Sequence, residues 1–172
     1  MNTRDTDRSA VYATEDLWCR SVERATSADG TITTTIAGSR VVLSAERRFA
    51  SVQSVATFID TVTGMPGFAN RWPDIPPVEV RQRKGISKAH WQGGTIAIPD
   101  TPTYLREEVV LHELAHHVVA HTHPTVPAHG GEFRAALCQL LSLTLGEEAG
   151  WSLSVLFAQA DLPVAYPVAE RV

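Results

Sequence analysis

The sequence of 172 residues has no apolar run of the roughly 18 residues that a membrane-spanning helix needs. Cysteine is scarce: two residues, Cys19 and Cys138, lie far apart, which favours buried free thiols in a reducing compartment over a disulfide. Internal repeats and low-complexity stretches are absent, and hydrophobic residues make up 44% of the chain, which excludes wholesale disorder. We expect a single domain over residues 1–172, located in the cytoplasm.

Neither sign of charge predominates, since Lys and Arg total 15 against 19 Asp and Glu, for a net charge of -4. That balance argues against a protein held on nucleic acid or an anionic membrane mainly by bulk charge. The polar, acid-containing N-terminus is unlike a signal peptide. Residues 1–8 and 163–172 are expected to be flexible ends.

Hydrophobic periodicity predicts helices and short strands in an order typical of an α+β domain. Helices are expected at about 9–26, from a cap at Ser44 to near Gly64, from about 101 to 120, and at 131–145 and 151–160. Strands are expected at 31–36 and 40–44, as a hairpin, and at 78–83, 88–92 and 95–99. Residues 65–77, which hold four prolines, are expected to form an irregular connection. The predicted fold is a small β-sheet packed on helices.

One segment carries a metal-binding pattern, His112-Glu113-Leu114-Ala115-His116, inside a helical and apolar stretch. At about 100° per residue, positions 112 and 116 differ by about 40° and one helical turn, so both imidazoles project from one face. That spacing suits two nitrogen ligands of a tetrahedral zinc ion. Glu113 lies about 100° around from His112, near enough to take a proton from an attacking water without ligating the metal.

Two histidines do not complete a zinc site, so a third ligand is required. His117 and His121 fall about 140° and 180° around the helix from the first histidine, and helix geometry points them away from the metal. The remaining downstream candidates are His123, His129 and Glu132. His129 is favoured because it precedes two glycines that let the backbone pass close to the metal, after a loop long enough to reverse the chain. The prediction is one Zn²⁺ ion per chain.

The segment 112–116, followed by His129-Gly130-x-x-Phe133, resembles the zinc core of the SprT-like metalloproteases and their minimal zincin relatives. The chain is also similar in size to small actinobacterial metallohydrolases. The resemblance covers about residues 95–140. It implies a zincin-like domain in which His112, His116 and His129 bind zinc and Glu113 is catalytic. Residues 1–70 have no counterpart in the pattern, and no Cys-rich zinc ribbon follows it.

The sequence therefore predicts a zinc-dependent metallohydrolase, specifically a peptidase acting on a peptide or protein substrate. Residues 95–99 are expected to be the strand above the cleft, where an extended peptide can pair. One alternative is a non-catalytic binding module stabilised by zinc. The requirement for four protein ligands in most structural zinc sites favours the enzyme, because no fourth ligand is evident here.

A second alternative is a DNA-associated protein, because one predicted hairpin concentrates positive charge. The basic residues are Arg81, Arg83, Lys84 and Lys88. A solvated strand edge that discourages pairing is the simpler interpretation of such a run. His90 and Trp91 either flank a substrate groove or pack in the core. Trp18, Trp72 and Trp151 are expected to be core or half-buried.

Overall fold

The computed structural model describes residues 4–28, 30–85 and 88–166, which form six helices and six strands. The helices are α1 (Arg8–Glu23), α2 (Val52–Thr63), α3 (Pro66–Arg71), α4 (Glu107–Thr122), α5 (Gly131–Leu145) and α6 (Glu147–Gln159). The strands are β1 (Thr26–Ala28), β2 (Thr31–Ile36), β3 (Ser39–Ser44), β4 (Glu79–Arg83), β5 (His90–Gln92) and β6 (Thr95–Pro99). The predicted α+β class is confirmed. None of these helices is both long and apolar enough to cross a membrane.

The described strands form two three-stranded sheets. The first is antiparallel in the order β1-β2-β3. Its β2–β3 hairpin, expected from the sequence, turns at Ala37 and Gly38, where φ is 50° and 80°, as tight hairpin turns require. The second sheet has the order β4-β6-β5, with β6 in the centre, parallel to β4 and antiparallel to β5. Strand β5 is therefore an edge strand.

Helix α4 runs through the middle of the core. Leu111, Leu114 and Ala115 on this helix are completely buried, as is Ile96 in the central strand of the second sheet. Helix α4 packs against α5 and β5, α5 packs against α6, and α6 packs against α1. Because nearly every side of α4 is covered, each polar side chain on it needs a partner inside the protein.

The second helix begins later than predicted. Ser51 caps α2, because its hydroxyl accepts a hydrogen bond from the Ser54 N–H (3.2 Å) and the Ser54 hydroxyl accepts one from the Ser51 N–H (3.0 Å). The prediction of Ser44 as the cap was wrong, since Ser44 ends β3. The prediction of an irregular 65–77 segment was also wrong in part, because Pro66 occupies the first turn of α3.

Helix α4 starts at Glu107 and not near residue 101, because a distant segment satisfies its first turn. The buried Glu107 carboxylate accepts hydrogen bonds from the Arg47 N–H (2.8 Å) and guanidinium (2.7 Å), and the Glu107 N–H donates to the Arg47 carbonyl (3.0 Å). Helix α6 also starts earlier than expected, at Glu147. Trp151 on that helix is 47% exposed, so its expected burial was wrong.

Parts of both expected flexible ends are held by hydrogen bonds. The Asp7 carboxylate accepts from the Arg134 guanidinium (2.9 Å), as does the Pro163 carbonyl (2.9 Å). The Ala165 N–H donates to the Gly131 carbonyl (3.0 Å). Residues 1–3 and 167–172 of the expected ends lie outside the described residues.

Candidate metal centre

Helix α4 places two predicted ligands side by side, and the loop before α5 brings the third. The Nε2 atoms of His112 and His116, one helical turn apart, are separated by 3.2 Å. His129 closes the group, and one ligand nitrogen from each of the three residues lies within 4.8 Å of the others. His112 and His129 are buried, whereas His116 is partly exposed. The structure thus brings the three predicted ligands together, with one of them accessible from solvent.

Carboxylates from the N-terminal segment hold two of these imidazoles. The Nδ1–H of His112 donates to both oxygens of Glu15, at 3.0 Å each. The Nδ1–H of His129 donates to Asp5 Oδ2 at 2.7 Å. With Nδ1 protonated in each ring, Nε2 carries the free lone pair, which is the tautomer a metal ligand needs.

A further observation indicates that the three histidines fit a metal ion. The Nε2 atom of His129 is buried and has no hydrogen-bond partner among the described residues. A buried polar atom without a partner is costly, and such atoms are uncommon in folded proteins. Three imidazole nitrogens form a donor set that zinc prefers in catalytic sites, where a fourth position stays open.

Two aromatic rings enclose the three histidines. Phe133, completely buried, lies with its ring centroid 4.9, 4.5 and 5.0 Å from those of His112, His116 and His129. Tyr12 stacks on His112 at 5.1 Å with an interplanar angle of 21°. It also lies 5.4 Å from His129. These contacts restrict the orientation of the imidazole rings and exclude water from their buried sides.

The loop that carries His129 is fixed from behind by Arg134, which is itself buried. The Arg134 guanidinium donates to the His129 carbonyl at 2.9 Å as well as to Asp7 and Pro163. Gly131 is required by close packing, because a Cβ there would lie 2.9 Å from the Ala165 Cβ. The sequence predicted that the glycines after His129 let the backbone pass close to the metal. In the structure, Gly131 instead allows the backbone to pack against the segment that follows α6.

Crowding and burial hold most of the cluster neutral. Burial lowers the pKa of His116 well below its usual value, and the neighbouring His112 and His129 charges act in the same direction. Burial also lowers the pKa of His129, although the Asp5 carboxylate opposes the change. Burial disfavours the charged form of His112 too, but the adjacent Glu15 outweighs it and the pKa of His112 is raised. Neutral imidazoles are the form that binds metal.

Glu113 lies beside this cluster with 5% of its surface exposed. Burial raises the pKa of its carboxyl, opposed by the charge of His112 and by a hydrogen bond from the backbone of Trp91. Glu113 belongs to the wall of the site and is not one of the three grouped donors.

The other sequence candidates lie outside the group of three donors, although His123 lines the larger cleft beside it. His117 is buried, accepts from the Trp91 indole N–H at Nδ1 (3.1 Å) and donates from Nε2 to the Pro76 carbonyl (2.8 Å), so its ring is satisfied within the fold. His121 donates to the His117 carbonyl (2.8 Å). His123 is exposed, and Glu132 lines a different cleft on α5. None of these four belongs to the grouped donors.

Sequence reasoning missed Asp5, Tyr12 and Glu15, which all come from the N-terminal segment. A signal for Glu15 was present, because it shares the apolar face of α1 with Val11 and Trp18, and a carboxylate on a buried helix face requires a partner. No comparable signal marks Asp5, which lies 124 residues from its histidine.

Two clefts meet at the centre. The larger, of about 460 Å³, is lined in part by His116 and His129, and the second, of about 350 Å³, in part by His112. Tyr12 and Glu113 line both. Glu113 therefore lies where the two clefts adjoin, beside the histidine cluster.

Strand β5, not β6, borders the larger cleft. Ala89, His90 and Trp91 line it, whereas β6 lies between β4 and β5 in the middle of its sheet. The expectation that residues 95–99 form the strand above the cleft was therefore wrong, since antiparallel β5 covers that edge of β6. Among the described residues, no strand pairs with the outer edge of β5.

Arg83, one of the four basic residues of the predicted hairpin, stabilises the fold. Arg83 donates to His90 Nδ1 at 2.8 Å and to the Lys88 carbonyl, and so braces the turn that leads into β5. Arg81 and Lys84 are exposed.

Comparisons with family models, curated proteins and solved structures returned no match to this chain. The assignment of function therefore depends on the geometry of the centre and its clefts.

Proposed function

We propose that this protein is a zinc-dependent hydrolase with a zincin-like, SprT-like centre, and that its substrate is a peptide or protein. The observation that carries the proposal is the convergence of three histidines, two of them oriented by carboxylates, beside the buried Glu113 at the junction of two clefts. His112, His116 and His129 are the zinc ligands in this proposal. One Zn²⁺ ion binds per chain.

The bound zinc would supply a Lewis acid that polarises the substrate carbonyl and makes water a stronger nucleophile. The protein's own contribution begins with Glu113, whose carboxylate takes the proton from the attacking water at Oε and later delivers it to the leaving nitrogen. Glu15 and Asp5 hold the Nδ1 protons of two ligands and keep their Nε2 atoms directed at a common point. Phe133 keeps water from the buried side of the cluster.

The edge of β5 supports a peptide as the substrate. An extended chain can add to an unpaired strand edge through main-chain hydrogen bonds, with its side chains in the neighbouring cleft. Strand β5 borders that cleft through His90 and Trp91, and Trp91 also holds Glu113 through its backbone. A peptide paired with β5 would therefore pass close to the proposed base.

A cytoplasmic location forms part of the proposal. Cys19 and Cys138 are both free and buried, as the sequence predicted. Burial raises the pKa of the Cys138 thiol to about 12, so this thiol is unreactive at neutral pH. Unpaired buried thiols are typical of a reducing compartment.

The test combines metal content with hydrolysis. The purified protein should contain one zinc per chain by elemental analysis, and His112→Ala should lose it. Glu113→Gln should keep the zinc, because Glu113 is not a ligand, but hydrolysis should fall by about 100-fold or more, since the amide cannot accept the proton. The control is Glu132→Gln, which removes a carboxylate that lines a different cleft. This variant should be fully active.

The substrate screen uses unfolded proteins and peptide libraries at neutral pH. Full activity in Glu113→Gln, or stoichiometric zinc in His112→Ala, would contradict the proposal. A zinc-loaded wild-type protein that hydrolyses nothing in the screen would favour the non-catalytic binding module.

A further inference from the structure

Two positive side chains converge on Tyr12, the ring that covers the histidine cluster. The Arg8 guanidinium lies 5.7 Å from the Tyr12 ring centroid, and the Lys88 ammonium lies 4.9 Å from it. Tyr12 in turn stacks on His112. Both cations are therefore held by cation–π contacts at the rim of the centre, one from α1 and one from the segment before β5.

These two cations differ from the others near the clefts because no described carboxylate lies within ion-pair distance of them. Arg106 is paired with Glu23 and Glu46, and Arg134 is paired with Asp7. Of the carboxylates closest to the cluster, Asp5 and Glu15 each bind a histidine, and Glu113 interacts electrostatically with Arg8 without forming an ion pair. Arg8 and Lys88 are therefore cations at the rim that form no ion pair with a described carboxylate.

The two cations line different clefts. Arg8 lines the larger cleft with His116 and His129, and Lys88 lines the second cleft with His112. A molecule that crosses the cluster from one cleft to the other would meet one positive charge on each side. The electrostatic complement is a substrate with a negative group on each side of the bond at the centre.

We propose that the substrate is an acidic peptide segment, with Arg8 and Lys88 each receiving an Asp or Glu carboxylate on opposite sides of the bond to be cleaved. This inference rests on the proposed hydrolase function. An extended peptide advances about 3.3–3.6 Å per residue. Since both cations lie on the ring that contacts the cluster, the acidic residues are within about three positions of the cleaved bond.

The clefts favour separate carboxylates over a continuous polyanion. Asp16, Glu23 and Glu108 also line the second cleft, where each is ion-paired with an arginine. Lys88 therefore offers this cleft one position for an anionic group, and not the continuous positive track that a chain of phosphates would need. A peptide can place a single carboxylate at Lys88 and neutral backbone elsewhere. Nucleic acid is therefore the alternative occupant that the experiment must distinguish.

The experiment measures binding to the zinc-loaded Glu113→Gln protein, which does not consume the peptide. Two labelled nonapeptide libraries are compared by fluorescence anisotropy. One has Asp and Glu fixed within three positions on each side of the centre, and the other has Asn and Gln there. The acidic library should bind about tenfold more tightly at low salt, and the difference should shrink as the salt concentration rises.

Adding Arg8→Gln or Lys88→Gln to this protein should each reduce the preference severalfold, and the two together should abolish it. Arg40→Gln, which removes an exposed arginine on β3 in the other sheet, should leave the preference unchanged. Zinc content is measured in every variant, because a loss of metal would otherwise mimic a loss of binding.

Equal affinity for the two libraries would overturn the inference, as would a preference that survives the double substitution. Tighter binding of a single-stranded DNA oligonucleotide, lost in Arg8→Gln, would assign the cations to a polyanion and also overturn it. If acidic peptides bind as expected but the wild-type protein never cleaves them, the hydrolase proposal fails and the binding inference stands. If peptides with Asn and Gln are cleaved as fast as acidic ones, the hydrolase proposal stands and the inference of an acidic substrate fails.

Discussion

Glu15→Gln tests whether the first helix controls the metal centre on α4. In the structure both oxygens of Glu15 accept from the Nδ1–H of His112 at 3.0 Å, and the Glu15 side chain is 11% exposed. Glutamine retains the size and one acceptor, but it loses the negative charge and turns the second contact into one between two donors. We expect a weaker zinc ligand and an unchanged backbone.

The magnitude follows from the kind of hydrogen bond that is lost. A buried hydrogen bond to a charged group contributes about 1.5–3 kcal/mol, which corresponds to a change in binding of about 10- to 150-fold. Loss of an outer partner of a zinc-bound histidine costs about 10- to 100-fold in metal affinity. The two ranges agree, so zinc affinity in Glu15→Gln should fall by about 10- to 100-fold.

The assay is a competitive titration with a chromophoric zinc chelator at constant pH and ionic strength. Asp16→Asn is the matched control, because Asp16 is the next residue on α1, is exposed, and pairs with Arg20 and not with a histidine. That variant should bind zinc as the wild type does. Wild-type zinc affinity in Glu15→Gln would refute the reasoning, since Glu15 would then only fill space.

Two further predictions concern stability. The hydrogen bond from Arg134 lowers the pKa of Asp7, so this pair stabilises the fold above the unfolded-state pKa of about 3.9 and loses its effect as the pH falls through the folded-state value. Because the Asp7 side chain is 38% exposed, Asp7→Asn should lower the free energy of unfolding by only about 0.5–1 kcal/mol at pH 7, measured by urea denaturation. A loss of stability of the same size at pH 2 would contradict this explanation. Gly150→Ala should destabilise by about 1–3 kcal/mol, because its Cβ would lie 2.1 Å from the Cys138 carbonyl oxygen and force α5 and α6 apart. Gly67→Ala, which meets only the movable end of a leucine side chain, should cost less, and equal melting temperatures for the two variants would count against this account.

The pattern on α4 could be interpreted locally because helix periodicity depends only on neighbouring residues. The spacing of His112 and His116 placed both rings on one face, and the structure puts their Nε2 atoms 3.2 Å apart. The same periodicity pointed His117 away, and the structure places it against Trp91 and Pro76. The β2–β3 hairpin was predictable for the same reason, since its turn lies within the segment.

Helix starts were less predictable because distant segments satisfy them. The first turn of α4 depends on Arg47, which is 60 residues away. The choice between Ser44 and Ser51 as the cap of α2 depended on where β3 ends, and that boundary is set by pairing with β2. The edge position of β5 likewise followed from the order of the strands in the sheet and not from any one strand's composition.

The sequence by itself determined the candidate ligand pair, the proposed base and the α+β class, because each depends on spacing within one element. The sequence also favoured His129 as the third ligand, and the tertiary structure brings it to the pair. Only the tertiary structure decided that Asp5 and Glu15 orient the cluster and that Arg8 and Lys88 flank it. The contacts of Glu15 with His112 and of Asp5 with His129 join residues 97 and 124 positions apart. Their formation is set by how the helices and sheets pack, and hydrophobic burial drives that packing without leaving a local pattern in the chain.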